Sequence, residues 1–334
     1  MILVTGATGH IGNVLVRQLL ERGQRVRAFV RPGSNRVALQ GLDVECVPGD
    51  ILDVGSLQRA MEGVSLVYHL AAKISLASGA DAETETVNQE GTRNVLAVVN
   101  HAGVQRLVYA SSIYALRVPE RGVVDEHLPF DPEHARGVYD RSKAAASLEV
   151  LRAAANGMDA VIVCPTAVAG PFDFHVSEVG RGILYNLNPG VKFYVEGAYD
   201  FVDVRDVAHG LALVAEKGQR GENYILGGDR LTVREVAECI WEAAGGWHTG
   251  FWLPDWAADL AAGILPLLMD NPIVTPYSLA AVRSNSLISH EKALRELGFH
   301  PRPAREAILS AVRWWQERSS EPGVLPETIA RAAG

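Results

Sequence analysis

Over the first 165 residues, short β-branched runs alternate with stretches in which apolar side chains recur every three or four positions. Residues 2–4, 26–30, 44–47, 66–70, 106–110 and 160–164 read as strands. Between the first two, Ile11, Val14, Leu15 and Leu19 fall on one helical face, and Gly23 stands where a helix C-cap belongs. The same period predicts helices over 53–61, 83–101 and 140–156. The strands are apolar at consecutive positions, as expected of a parallel sheet covered by helices on both faces. Beyond Pro165 the alternation breaks down and glycine and proline become frequent, which predicts a smaller, mixed second region. Thr232 and Glu235 form a capping-box pattern at the start of a helix over 232–244, and a further helix is expected over 303–318. The apolar stretch 256–269 is interrupted by Asp259, Gly263 and Pro266 and is shorter than the roughly 20 residues a bilayer crossing needs, so it reads as a buried or pocket-lining helix.

The chain has 334 residues, 48% hydrophobic and 21% charged, enough for one large or two modest domains with a sizeable core. A formal net charge of -8 without any Lys/Arg run argues against a nucleic-acid partner. Cys46, Cys164 and Cys239 are odd in number and widely spaced, which suits neither a disulfide framework nor a metal cluster. No basic segment precedes the first strand, so neither a signal peptide nor a membrane partner is expected, and the setting inferred is reduced and cytoplasmic.

Thr5-Gly6-Ala7-Thr8-Gly9-His10-Ile11-Gly12 follows the first strand directly and opens the first helix. In that context Gly6, Gly9 and Gly12 serve a tight turn, close approach to a pyrophosphate and close helix–sheet packing, with the helix N-terminus facing the phosphates. The fold class predicted is therefore α/β, a Rossmann-type doubly wound parallel sheet binding a dinucleotide, with a smaller, mixed C-terminal substrate-binding region. An acid near the end of the second strand would hold a ribose 2′-hydroxyl. Here that strand ends Phe29-Val30-Arg31, and Arg31 with Ser34 and Arg36 offers a fork for a 2′-phosphate. NADP is accordingly favoured over NAD. Asp50, after the third strand, can meet an adenine amino group or serve as a turn or capping residue.

Tyr139 and Lys143 are four residues apart and share one helical face. A nearby ammonium favours phenolate and brings a tyrosine toward the working pH as a general acid/base. Ser112, in Tyr109-Ala110-Ser111-Ser112, ends a buried strand on the carboxyl side, where open α/β sheets bind ligands, and can hydrogen-bond a carbonyl oxygen that Tyr139 protonates. A carbonyl/alcohol pair is the substrate chemistry this trio suits.

With these motifs in place the chain resembles the extended short-chain dehydrogenase/reductase superfamily over nearly its whole length. The matching features are Thr-Gly-x-x-Gly-x-x-Gly, Gly49-Asp50-Ile51, His69-Leu70-Ala71-Ala72, Asn88 with Gly91-Thr92, Ser111-Ser112, Tyr139 with Lys143, and Cys164-Pro165-Thr166 leading to Gly170-Pro171. Phe201-Val202-Asp203-Val204 and Leu297-Gly298-Phe299 match its C-terminal half. The resemblance implies catalytic roles for Ser112, Tyr139, Lys143 and Asn88, with Lys143 also holding the nicotinamide ribose. It places Thr8, His10, Ile11, Ile51, Leu70, Ala71, Ala72, Lys73, Pro165 and Thr166 along the cofactor beside the residues above. Lys73 can instead meet the substrate or be solvated. Residues 1–166 with about 200–228 would bind the dinucleotide, and 167–199 with 229–334 the substrate. Nucleotide-sugar epimerases and dehydratases usually carry a diphosphate-binding arginine where this chain has Tyr199. The segment 164–172 is closer to the dihydroflavonol-reductase and cinnamoyl-CoA-reductase branch, and the expectation is a reductase of a largely apolar ketone or aldehyde. Trp247, Trp252, Trp256 and 264–269 can line its pocket or belong to the core. A homodimer through the helices at 83–101 and 140–156 is expected, with Ala144, Ala145, Ala154 and Ala155 permitting close approach. A non-catalytic dinucleotide-binding protein is disfavoured, because both Tyr139 and Lys143 are present.

Overall fold

The computed structural model describes residues 1–74, 81–119, 122–188, 190–245, 250–269, 273–284 and 287–319. Its centre is a seven-stranded parallel sheet built from β1 (Ile2–Thr5), β2 (Val26–Val30), β3 (Glu45–Pro48), β4 (Leu66–His69), β5 (Arg106–Ala110), β6 (Ala160–Pro165) and β7 (Asn223–Leu226), in the order β7-β6-β5-β4-β1-β2-β3. The strands are apolar at consecutive positions in their central parts because each face packs on a different helical layer. Val4, Tyr68, Val108 and Val161 point into one core with Val14 and Leu211, whereas Leu3, Val67, Leu107 and Ile162 point into the other with Val95 and Val150. Burial of each such side chain contributes roughly 1.5–3 kcal/mol, which holds the sheet between its helices.

The helices that position the site are α1 (His10–Glu21), α2 (Gly91–Ala102), α3 (Val138–Ala155) and α4 (Val204–Lys217). α1 ends as its sequence predicts. Gly23 takes φ +71°, its N–H donates to the Leu20 carbonyl at 2.9 Å, and the Gln24 N–H donates to the Leu19 carbonyl at 3.0 Å, a Schellman arrangement only a residue without a Cβ forms cheaply. The helix expected over 83–101 is interrupted: Ala82–Glu85 leads into a wide π turn, Thr86–Glu90, before α2 begins. β7 is not among the predicted strands: it lies beyond Pro165, where the regular alternation of strand and helix that marks the others has ended.

At Thr166 the chain leaves the large sheet for a three-stranded one in which Ala198–Asp203 pairs parallel with Ala167–Ala169 and antiparallel with Asp229–Thr232. Thr232 and Glu235 form the expected capping box. The helix Asp255–Leu268 corrects the buried reading of its apolar sequence. Only Ala258 and Ala262 are buried, against Leu279 and Val282, while Trp256 is 71% and Leu267 82% exposed. Composition reveals how apolar a helix is, whereas its small alanines, which allow close packing, decided which face turned inward. No described helix is long and apolar enough to cross a membrane.

Candidate active site

The topological switch point lies between β1 and β4, where the strand order reverses, and the glycine loop sits at its carboxyl edge. Gly6 takes φ +69°, and a Cβ there would lie 2.7 Å from the Ala71 nitrogen. A Cβ on Gly12 would lie 2.1 Å from the Gly6 carbonyl oxygen, so Gly12 packs the helix on the loop itself rather than on the sheet. Gly9 is the N-cap of α1 and makes no side-chain cap, leaving the first helical N–H groups facing out of the loop. A cradle that any side chain would fill, closed by a helix N-terminus, fits a dinucleotide pyrophosphate.

Behind this loop runs a buried chain of hydrogen bonds. The Ala71 N–H donates to Thr5 Oγ1 at 3.2 Å, Thr5 Oγ1 lies 2.8 Å from His69 Nδ1, His69 Nε2 lies 3.1 Å from Thr92 Oγ1, and Thr92 donates to the Asn88 carbonyl at 2.6 Å. Since Thr92 spends its only proton on Asn88, His69 must donate from Nε2 and accept at Nδ1. Burial brings the imidazole down to about 3, so it is neutral, a satisfied core residue as its sequence context predicts. Asn88 is itself buried: its Oδ1 accepts from the Lys73 N–H at 2.8 Å, and its Nδ2 donates to the Lys73 carbonyl at 3.0 Å and to Ser142 Oγ at 2.8 Å. Every polar atom of that side chain is engaged, so Asn88 ties the β4 exit to α3 as a positioning residue beside the site.

Ser112 follows β5 directly and is buried; Tyr139 stands in the first turn of α3, half-buried, and Lys143 lies one turn on, buried. Ser112 neighbours the Tyr139 phenol and favours its ionised form. Burial, reinforced by the neighbouring Asp140 carboxylate, outweighs that and pushes the phenol up. Lys143 Nζ donates to the Ala110 carbonyl and sits 4.4 Å from the centre of the Tyr109 ring, and burial brings it down to about 7. The tuning of Tyr139 by Lys143 expected from their spacing is therefore not seen here: the ammonium is turned to the backbone of β5, and the phenol is a protonated acid at neutral pH.

The remaining expected cofactor residues divide by position. Thr8, His10 and Ile11 lie on the loop and first turn, with His10 Nε2 3.0 Å from the Pro171 carbonyl oxygen. Leu70 and Ala71 are half-buried and Ala72 exposed at the β4 exit, and Pro165 and Thr166 are buried at the end of β6. Arg31 and Arg36 are exposed beyond β2, flanking a turn in which the Ser34 N–H donates to the Arg31 carbonyl at 3.1 Å. Asp50 Oδ1 accepts from the Leu52 N–H at 2.9 Å, so one of its oxygens makes the turn. Ile51 is buried beneath Gly91, where a Cβ would come within 2.4 Å of its Cδ1. The Lys73 ammonium reaches Glu83 at 2.6 Å and Asp81 at 3.3 Å.

Sequence reading missed a cluster at the N-terminus of α3. Tyr277 donates to Asp140 Oδ1 at 2.6 Å, and burial pushes this carboxyl up to about 6 against the pull of Tyr277 and Arg136. Beside it opens a cleft of about 520 Å³, counting its solvent-open part, between the β5 exit and the three-stranded sheet. Its apolar wall is Ile113, Val118, Val124 and Ile288, not the tryptophans: Trp252 stacks on Tyr194 at 5.0 Å, Trp256 is exposed, and Trp247 lies outside the described residues. These residues come from segments up to 175 positions apart, and no local motif brings them together.

Residues 2–227 match the model of the NAD dependent epimerase/dehydratase family. The chain is 39% identical to sterol demethylase protein B of Methylococcus capsulatus over 95% of this chain and 98% of that protein. It is 35% identical to a Synechocystis protein provisionally named dihydroflavonol 4-reductase, over 94% of each. Its fold superposes on the crystal structure of gox2253 with a TM-score of 0.81 and 34% identity, covering 95% of this chain and 98% of that one. With the parallel sheet, the glycine cradle at its switch point and the Ser112–Tyr139 pair beside it, these likenesses establish that the chain belongs to the NAD-dependent epimerase/dehydratase family of extended short-chain dehydrogenases/reductases, whose members are NAD(P)-dependent enzymes.

Proposed function

We propose that the protein is an NADP(H)-dependent oxidoreductase that interconverts a ketone or aldehyde and its alcohol on a largely apolar small molecule. The observation that carries this is the nearness of Ser112, at the carboxyl end of β5 beside the glycine cradle, to the Tyr139 phenol in the first turn of α3. When bound, the nicotinamide supplies the hydride to the carbonyl carbon. Ser112 donates a hydrogen bond to the carbonyl oxygen, which polarises it, and Tyr139 delivers its proton to that oxygen as the charge develops. A phenol held up by burial is fully protonated at neutral pH, as an acid must be. Lys143, one turn on, would hold the nicotinamide ribose. Arg31, exposed after β2 where an acid would select NAD, supports the preference for NADP. The apolar wall of the cleft supports a hydrophobic substrate body. Sterol demethylase protein B and the dihydroflavonol-reductase name, both belonging to relatives, agree in chemical character.

A second reading, a nucleotide-sugar epimerase or dehydratase, gains from one observation. Tyr199 does occupy the position of the expected arginine, but antiparallel pairing sets Arg230 opposite Asp200, and both line the same cleft. The test is NADPH absorbance with a panel of aldehydes, apolar ketones and nucleotide sugars. Net oxidation of NADPH by a carbonyl compound, lost roughly 10²–10⁴-fold in Tyr139→Phe with dinucleotide binding intact, is the expected result. Conversion of a nucleotide sugar alone, with no net NADPH consumed, would overturn it.

A further inference from the structure

We propose that Arg136 selects the substrate by binding a carboxylate carried on the carbonyl compound. Arg136 lines the cleft three residues before Tyr139, and its guanidinium lies 5.4 Å from the centre of the Tyr114 ring. Tyr114 in turn follows Ser112 by two positions, and its backbone N–H donates to the Ser112 hydroxyl at 3.2 Å. The arginine is thus fixed against the residue that borders the reacting pair. Its Nη1 is sealed from solvent and has no hydrogen-bond partner. Buried guanidinium nitrogens are almost always paired, because an unpaired charged donor keeps the full cost of its desolvation.

The acids near Arg136 do not satisfy it. Asp140 accepts from the Tyr277 hydroxyl at 2.6 Å, and Asp200, in the lining of the same cleft, accepts from the Gly228 N–H at 2.9 Å. Neither forms an ion pair with the guanidinium. Arg230, at the exposed edge of the same cleft, stands opposite Asp200 on the neighbouring strand and offsets its charge, which leaves the Arg136 guanidinium as the excess charge of the lining and favours an anion. A carboxylate matches a guanidinium in charge and geometry, and a ligand carrying one would pair with the part of the Arg136 guanidinium that lines the cleft while its apolar body lies along Ile113, Val118 and Ile288. The inference rests on the oxidoreductase reading only for where the reacting carbonyl sits.

The experiment is calorimetric binding to the NADP-loaded protein of matched pairs, each an apolar aryl or decalin ketone as free acid and as methyl ester, with uridine diphosphate as a third arm. The free acids should bind about tenfold or more tightly than their esters. The preference should vanish in Arg136→Met, return in part in Arg136→Lys, and be unaffected by Glu149→Gln, a half-buried control on the far part of α3 that pairs with Arg93 and Arg152. Wild-type protein that binds acid and ester alike, or that binds only uridine diphosphate, overturns the proposal whatever the variants do. An acid preference without any turnover of the ketone leaves Arg136 in its role and counts instead against the oxidoreductase reading.

Discussion

Asp140→Asn isolates one buried charge, and its effect on stability has a definite sign and pH window. Asp140 is 1% exposed, and burial pushes its carboxyl from 3.8 up to about 6. Because the folded state holds this proton more tightly than the unfolded chain, the group lowers stability as pH rises from 3.8 to 6, and the whole cost stands above that window. At about 1.4 kcal/mol per tenfold, the difference amounts to about 3 kcal/mol at pH 8, of which about 1.4 kcal/mol has already returned at pH 5. Asparagine keeps an oxygen to accept from Tyr277 and removes the charge. Urea denaturation should therefore show Asp140→Asn stabilised over wild type by up to about 3 kcal/mol at pH 8, the attraction to Arg136 being already contained in the shift, and stabilised by about 1.4 kcal/mol less at pH 5. The same carboxylate helps push the neighbouring Tyr139 phenol up, so the basic limb of the pH–rate profile should move to lower pH in the variant. An equal difference between variant and wild type at pH 5 and pH 8 would show that Asp140 is not a buried anion, and the argument would fail.

Arg31→Asp should exchange the cofactor preference, from NADPH bound several-fold more tightly than NADH to the reverse, read by fluorescence titration; equal affinities in the wild type would refute the 2′-phosphate role. For the homodimer, the structure alters which residues can serve: Ala144 and Ala154 are buried in the chain's own core, leaving Ala155, Leu148 and Arg152 on the outer face of α3. Light scattering at micromolar concentration should report twice the 36.0 kDa chain mass, and Leu148→Glu should return it to the monomer value.

Much of this architecture is local in origin. The period-two and period-3.6 patterns yield six of the strands and the helices between them, because each element is recorded in consecutive side chains that must reach a core. The glycine loop is legible for the same reason: a tight turn between a strand and a helix excludes Cβ atoms at set positions, and Gly6 and Gly12 meet atoms only a few residues away or on the adjacent strand. Ser112, Tyr139 and Lys143 could be named from spacing, since a strand end and one helical turn place them without further information. Their electrostatics could not. Whether Lys143 faces the phenol or the Ala110 carbonyl, and whether Tyr139 is raised or lowered, depends on burial and on Asp140, whose carboxyl meets Tyr277 from 137 residues away. The role of Asn88 likewise hangs on a wide turn that the helical period does not reveal. The exposure of Trp256 and Leu267, the four-residue β7, and the cleft where Arg136 faces Arg230 all arise from packing between distant segments. Hydropathy states which residues avoid water on average, but three-dimensional packing alone sets which surfaces are available to cover them, and which charges are left without a partner.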